Sequence, residues 1–485
     1  MIDRDGNGIE DRVDLLRIAE EAMRARGLLC APPPVELGDA PSPGGRDLTD
    51  LPWNSIDNAT SRDLDQVEYA ERHDGFTRVL VGIAEVSAFA PPGGALDVAA
   101  AHNGATVYTA AGVFPMIPRA LSEDRTSLLD GAPRLAMVTS LDVSDDGEVI
   151  ASEHFPAWVQ NRCKLDYPSV SAWLRGGDAP PGLAESPVMQ AQIHLQDLVS
   201  SRLRARRMAN GALTFHTPDE EFVHDRDGNL VDIVNRAPLR AGEIVEDLMI
   251  AVNQAVARNL AARGYPCLLR VVPPPARWPR IVSLAAQWGV GLPAHPSTRA
   301  LARFVNDTAR AHPDRAEEIS LGVLKLVGRG AYVAQRPGEE GPGHFGLAVG
   351  AYAHSTAPNR RYPDVIAQRL LHAAHRGDPC PYSVEALEAI AARCVEAGAL
   401  ARKVERQVAK SAAALFLAHR VGESFDAVVT GVTAGGTYIR LHHPAVEGRL
   451  MQGQAGLDVG DLVRARLEGC DVARGHLDFV AAAPA

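Results

Sequence analysis

Apolar residues at Val13, Leu16, Ala19 and Met23 recur at helical spacing, Gly27 is placed to end the helix, and Pro32, Pro33 and Pro34 forbid its continuation. Residues 1–46 therefore read as a short helical segment and linker. From about Arg46 the pattern mixes apolar strands such as Arg78–Ala84 with long amphipathic helices such as Gly242–Leu260, which predicts an α+β domain over residues 47–420. The run Val272-Pro273-Pro274-Pro275-Ala276-Arg277-Trp278-Pro279 reads as an internal loop of that domain. A last long helix is predicted from near Val384 to about Arg420, with Gly398 marking where it could break. The period then switches to two at Ser424–Val432. Short apolar runs separated by Gly435-Gly436, His443-Pro444 and Gly460-Asp461 predict a small closed β-barrel over residues 421–485.

Composition narrows the class. A chain of 485 residues exceeds what one core usually serves, and 46% apolar with 22% charged residues is ordinary for a globular protein. A net charge of −11 argues against a protein that coats nucleic acid, but leaves room for a narrow channel lined locally with arginine. Cys30, Cys163, Cys267, Cys380, Cys394 and Cys470 lack the paired spacing of zinc or redox sites and read as reduced structural thiols. The amino end opens on charges, and no segment approaches membrane-spanning length, so a cytoplasmic protein with no membrane partner is expected.

The chemistry concentrates in Ser55–Glu68, where Asp57, Asp63 and Asp65 fall in one loop before a predicted hairpin. Carboxylates this close repel unless a cation intervenes, and hard cations such as Mg²⁺ take oxygen ligands shared with substrate phosphates. Asp, Asn and Ser also simply make turns and cap backbone. Spacing alone leaves both readings open.

This stretch resembles the ribonuclease II and ribonuclease R family, whose catalytic domain carries an Ile-Asp step followed by closely spaced aspartates. Five further stretches match in the same order: Thr106-Val107-Tyr108 upstream of Phe114–Ser122; Gly211–Phe215; Glu246, Asp247, Met249 and Asn253 on a helix; His344–Ala348 with Tyr352–Asp364 and Arg369; and Glu405 within Val404–Val408. The resemblance implies a mixed catalytic domain with an RNA channel, then an OB-fold barrel. It implies 3′-to-5′ hydrolysis of single-stranded RNA to nucleoside 5′-monophosphates, with Mg²⁺, or Mn²⁺ in its place, as cofactor. Asp57, Asp63, Asp65 and Gln66 would face the metal. Arg360 and Arg361 would neutralise phosphoryl charge, Arg360 foremost. Tyr108 and Phe215 would stack on bases, Glu246 and Glu405 would orient ribose hydroxyls, and Tyr362 would contact RNA. In the barrel, Tyr438 and Phe425 could stack on RNA or fill the core. A monomer acting on RNA is expected.

The chain also departs from the family. Gln66 stands where an aspartate is usual, so one carboxylate is an amide, and Ser355, Ala357, Asn359 and Glu85 replace the usual residues at their positions. The residues before Leu48 are too few for the cold-shock barrels the family commonly carries. Gln66 keeps a non-catalytic RNA-binding protein in play as an alternative, and a phosphatase or endonuclease using the same metal is a weaker one. The acidic run Asp3–Asp11 has the alternating oxygens of a calcium loop, but no helix precedes it and Gly8 is off position, so a terminal cap is expected. Asp225–Asn229 reads as a hairpin turn.

Overall fold

The computed structural model of the chain describes residues 7–34, 44–215, 219–225, 230–236, 238–339, 341–433 and 435–482. Its centre is a sheet of Arg46–Asp47 (β1), Trp53–Asp57 (β2), Gln66–His73 (β3), Phe76–Ala84 (β4) and, after the small hairpin Val107–Thr109 (β5) and Gly112–Phe114 (β6), Arg134–Ser144 (β7), Val149–Val159 (β8) and Asn161–Asp166 (β9). The order is β1-β8-β7-β4-β3-β2-β9. Strands β3, β4, β7 and β8 form an antiparallel meander, while β1 and β9 join the edges in parallel with β8 and β2. Both faces are covered, which is why β4 reads as an unbroken apolar run. Val79, Val81 and Ile83 face a large core shared with helices on one side, and Leu80 and Ala84 face Trp53, Leu64, Val67 and Phe155 on the other.

The helices are Asn7–Arg24 (α1), Ala95–Asn103 (α2), Tyr167–Leu174 (α3), Pro181–Ala184 (α4), Pro187–Asn210 (α5), Arg240–Ala262 (α6), Trp278–Gln287 (α7), Thr298–Ala311 (α8), Ala316–Val327 (α9), Tyr362–Arg376 (α10) and Val384–Leu417 (α11). Helix α6 brings Ile244, Leu248, Val252 and Val256 to the main core, and α10 brings Val365, Ile366 and Leu370. Two antiparallel pairs, Asp219–His224 (β10) with Leu230–Arg236 (β11) and Cys267–Val271 (β12) with Ala331–Gln335 (β13), stand apart from the sheet. The turn expected at Asp225–Asn229 joins β10 to β11, but its residues 226–229 lie outside the described residues, as do Asp3 and Asp5 of the calcium-like run.

Two expectations change. The proline-rich run opens a helical insertion between β12 and β13, because Pro279 suits the first turn of α7, and α7–α9 enclose their own core of Trp278, Ile281, Phe304, Val305, Ile319 and Val323. Helix α11 runs unbroken through Gly398. A glycine there costs about 0.5–1 kcal/mol, which is small beside what α11 buries along its length: Ala401, Val404, Val408 and Ala412 against α1, then Ala413, Ala414 and Leu417 against the barrel. The amino-terminal helix is correspondingly no loose segment. Leu15, Ala19, Ala22 and Met23 of α1 are buried on α11, and Gly27 closes the helix in the left-handed region at φ 70°.

The barrel closes in the order β14-β15-β16-β18-β17, from Ser424–Thr433 (β14), Gly436–Leu441 (β15), Glu447–Gln452 (β16), Leu462–Asp471 (β17) and His476–Ala481 (β18). Phe425 belongs to its core, edge-on to Phe479 and covered by the Arg420 guanidinium 4.6 Å from its ring, so it offers no stacking face. Tyr438 is 40% exposed and does.

One buried base makes the fold sensitive to pH. His154 on β8 meets Thr139 Oγ1 of β7 at 2.9 Å, its other ring nitrogen lacks a partner, and burial pushes its pKa down to about 4. The unfolded chain takes up this proton near pH 6.5 and the folded one near 4, so stability is full above 6.5 and is lost as pH falls towards 4, by up to about 3 kcal/mol. Urea midpoints measured from pH 7 to 4 should fall in the parent and fall less in His154→Gln.

Candidate active site

Strand β2 ends at Asp57, and the chain loops out before returning as β3. The loop is held from within and from below. Asp57 Oδ1 accepts from Asn58 N at 2.6 Å and Ser61 Oγ at 2.8 Å, while Lys164 Nζ donates to the Ser61 carbonyl at 2.5 Å. Leu64 is fully buried and its amide donates to Ser127 Oγ at 2.9 Å, which pins the loop between Asp63 and Asp65. Asp63 is left half-buried and Asp65 only 2% exposed.

The facing wall is the segment Tyr352–Arg361, which has no regular structure and is fixed by side chains instead. Asn253 of α6 donates to the Tyr352 hydroxyl at 3.1 Å and accepts from Ser355 N and Oγ, both at 2.8 Å. Asp364, in the first turn of α10, accepts from Ala357 N at 2.8 Å and Arg361 Nη2 at 2.7 Å. Thr126 Oγ1 donates to Asn359 Oδ1 at 2.6 Å. So held, the segment delivers two donors to Asp65: Asn359 N at 3.1 Å and Arg360 Nε at 3.2 Å.

Burial pushes the Asp65 carboxyl up to about 7 in spite of Arg360 and Asn359, with Asp63 adding to the rise. Asp63 is raised for the same first reason, with Asp57 and Glu123 opposing Arg360. Burial works against the charge of Arg360, but Asp65, Tyr108, Asp57 and Asp63 outweigh it and raise its pKa. Tyr108, on β5, is 43% exposed, its hydroxyl 3.5 Å from Asp63 Oδ2, and burial raises it to about 12. Glu68 lies on β3 behind Gln66, 1% exposed, and is pushed up to about 8 by burial and then by Asp57.

Beside Arg360 lies a cleft of about 190 Å³ whose lining includes Gln66, Glu246, Met249, Tyr352, Arg360 and Arg361. Asp57, Asp63, Asp65, Arg360 and Tyr108 are thus brought together, with Gln66 beside them, its Nε2 3.4 Å from the Ile56 carbonyl. Arg361 reaches the cleft but is committed to Asp364 and Thr356. Glu246, its side chain 57% exposed, stands 3.5 Å from Arg204. Glu405 approaches from α11: burial raises its pKa against the opposing influence of Arg402 and of the Tyr108 backbone. Phe215 lies apart, half-buried against the α7–α9 core. Tyr362 is a correction: it is 4% exposed in the main core with its hydroxyl 2.8 Å from Asp97 Oδ1, so it packs α10 onto α2 and does not face the cleft. The supporting role of Thr126 carried no local signal, since it acts on Asn359, far away in sequence, while Asn253 and Asp364 stood in the matched stretches without that role being readable there. As for a metal, the donor set is all oxygen and acidic, which suits a hard divalent cation. Among the described residues no three acidic, histidine or cysteine side chains converge on one point; Arg360 engages Asp65 and Ser61 engages Asp57.

Residues 45–377 match the model of the RNB domain, and residues 423–482 match that of the RNase II-type exonuclease C-terminal S1 domain. The chain belongs to the RNB family. It is similar to ribonuclease R of Thermotoga maritima (27% identity, covering 90% of this chain and 65% of the relative) and of Escherichia coli (28%; 92% and 58%). It is also similar to exoribonuclease 2 of Cronobacter sakazakii (31%; 81% and 61%). The chain thus spans about three fifths of the length of these relatives. Among solved structures, the apo form of Mycoplasma genitalium RNase R superposes with a TM-score of 0.85 at 20% identity, over 97% of this chain and 78% of that one. The same protein has been solved with ribose-methylated single-stranded RNA. Yeast Ssd1, described as a pseudonuclease, shares the fold with a TM-score of 0.67 at 16% identity, over 94% of this chain and 57% of that one. The RNB match ends at the close of α10, so α11 is the element between the RNB and S1 domains.

The Arg361–Asp364 pair tests how the wall is held. Asp364→Asn keeps an acceptor for Ala357 N but leaves Arg361 without its counter-charge, so urea denaturation should show a loss of about 3 kcal/mol. An unchanged midpoint would mean that the pair does not hold the segment.

Proposed function

We propose that this chain is a 3′-to-5′ exoribonuclease that hydrolyses single-stranded RNA to nucleoside 5′-monophosphates, acting as a cytoplasmic monomer. The observation that carries this reading is the buried Asp65 carboxyl facing Arg360 beside the cleft, with Asp57, Asp63 and the exposed Tyr108 ring close to that arginine, within an RNB domain that precedes an S1 barrel. Asp57, Asp63 and Asp65 would hold Mg²⁺, or Mn²⁺ in its place, with Gln66 offering an amide oxygen. The bound cation would supply water activation and charge neutralisation at the scissile phosphate. Arg360 stays charged throughout and places a planar donor where the phosphorane gains negative charge. Water adds to phosphorus as the bond to the 3′ oxygen of the preceding nucleotide breaks, which frees a 5′-monophosphate. Tyr108 stacks on a base without regard to its identity, and Glu405, on α11, is placed to orient a ribose hydroxyl. Glu246, on the cleft wall, is placed to accept from a ribose 2′-hydroxyl and so to favour RNA over DNA. In the barrel, Tyr438 is the aromatic group available to guide the strand. Among the described residues no helix is long and apolar enough to cross a membrane.

Gln66 and the fold shared with a pseudonuclease support a second reading, an RNA-binding protein without hydrolysis. Incubating 5′-labelled single-stranded RNA with the full chain and Mg²⁺ separates the two: a descending ladder is expected, and bound but intact RNA would establish the second. Asp65→Asn should lower the rate at least about 100-fold while RNA binding persists, because the amide keeps the shape and loses the charge. Tyr438→Ala should raise KM for long RNA about tenfold at unchanged kcat, the effect of losing one stacked base.

A further inference from the structure

Arg270, on β12, carries a half-buried guanidinium without a counter-charge. Arg360, Arg361 and Arg369 each meet a carboxylate, that of Asp65, Asp364 and Asp97 respectively. Among the described residues no acceptor meets the Arg270 head, which rests on an aromatic face instead. Its place is nevertheless fixed. The Arg270 amide donates to the Tyr352 carbonyl at 2.7 Å. The guanidinium carbon lies 5.2 Å from the ring centroid of Tyr332, the residue directly opposite on β13. Gly330 leaves the space that the group fills, since a Cβ there would stand 2.7 Å from the guanidinium carbon. A row of rings joins it to the cleft: Tyr352, in the cleft lining, is 5.5 Å from His354, and His354 is 5.6 Å from Tyr332, with Tyr332 Oη and His354 Nδ1 2.7 Å apart. On the other side of Tyr352, His344 is 5.6 Å away. Burial pushes His344 down to about 4 and His354 well below the usual histidine range, so neither ring is charged near neutral pH. Arg270 is the cation of this row.

A guanidinium taken partly out of water with no acceptor loses hydration that an aromatic face returns only in part. A neutral side chain would fill the space between Tyr332 and Gly330 at less cost. An anion reaching the exposed edge of the group removes the deficit, and its planar donors suit two oxygens of one phosphate. We infer that Arg270 binds a backbone phosphate of the RNA strand beside the cleft, with the Tyr332 ring holding the guanidinium plane and Gly330 giving it room. This rests on the reading of the chain as an exoribonuclease acting on single-stranded RNA. It adds a strand contact separate from Arg360, whose guanidinium faces Asp65. A phosphate that does not react keeps its charge throughout, so the contact contributes to KM and not to kcat.

The test is equilibrium binding of a short fluorescein-labelled oligoadenylate to the full chain in EDTA, over a series of KCl concentrations, for the parent, Arg270→Gln and Arg270→Lys. Arg270→Gln should bind at least about tenfold more weakly. The slope of log Kd against log salt should fall by about 0.7, the share of one phosphate on a single strand. Arg270→Lys should keep the slope and lose part of the affinity, because a point charge neither stacks on Tyr332 nor forks onto two oxygens. With Mg²⁺ present, Arg270→Gln should raise KM at unchanged kcat, and inhibition by adenosine 5′-monophosphate should match that of the parent. If Arg270→Gln binds the strand as the parent does, or more weakly with the parental slope, Arg270 touches no strand phosphate and the inference is wrong. Should that variant not fold, parental affinity in Arg270→Lys overturns it equally. A change confined to inhibition by the mononucleotide would assign the phosphate to the product and overturn the strand contact. If the parent binds the oligonucleotide but leaves it intact in Mg²⁺, while the slope falls in Arg270→Gln, the inference stands as an RNA contact and the hydrolytic reading falls.

Discussion

The contact between Asp65 and Arg360 is the joint on which the rest of the site depends. A carboxyl that is 2% exposed cannot rely on water, so its charge is tolerable only where fixed donors face it, and here these are Arg360 Nε and Asn359 N. Both come from a segment almost 300 positions away that lacks regular structure. That segment can hold its donors in place only because Asn253, Thr126 and Asp364 satisfy its backbone and side chains from three different elements. Orientation at the site is therefore a property of the assembled core, not of either loop.

Helix α11 extends this dependence to the chain's ends. One of its stretches buries α1 and Val107, the neighbour of Tyr108, and another closes the barrel core. A base stacked on Tyr108 would thus rest on the same helix that carries the S1 barrel. Continuity through Gly398 joins these stretches to Leu387, Ala391 and Cys394, which pack in the main core.

Much of this was readable in the chain. The long helices, the switch to period two after Arg420 and the apolar run at Arg78–Ala84 follow from local periodicity, which survives folding because each element buries the face its own pattern defines. Asp57, Asp63, Asp65, Arg360 and Tyr108 were visible as motifs, and the structure brings them together. Other residues were misread where a side chain's neighbours, not its type, decide its role. Tyr362 sits beside two arginines of the site yet turns inward to Asp97, because the first turn of α10 faces the core there. Phe425 could equally have faced solvent until barrel closure set it against Phe479. The proline-rich run looked like a loop because prolines end elements as readily as they begin them.

By itself, the sequence determined the type and order of the elements, the acid-rich loop, the arginine pair ahead of α10, and the small barrel that follows them, because these depend on residues close together in the chain. Tertiary structure alone decided which carboxylates are buried, which arginine meets Asp65 and which stays with Asp364, and that Glu68 lies behind Gln66 without a partner. Burial and charge pairing are set by groups hundreds of positions apart, and no local pattern encodes a distance across the core.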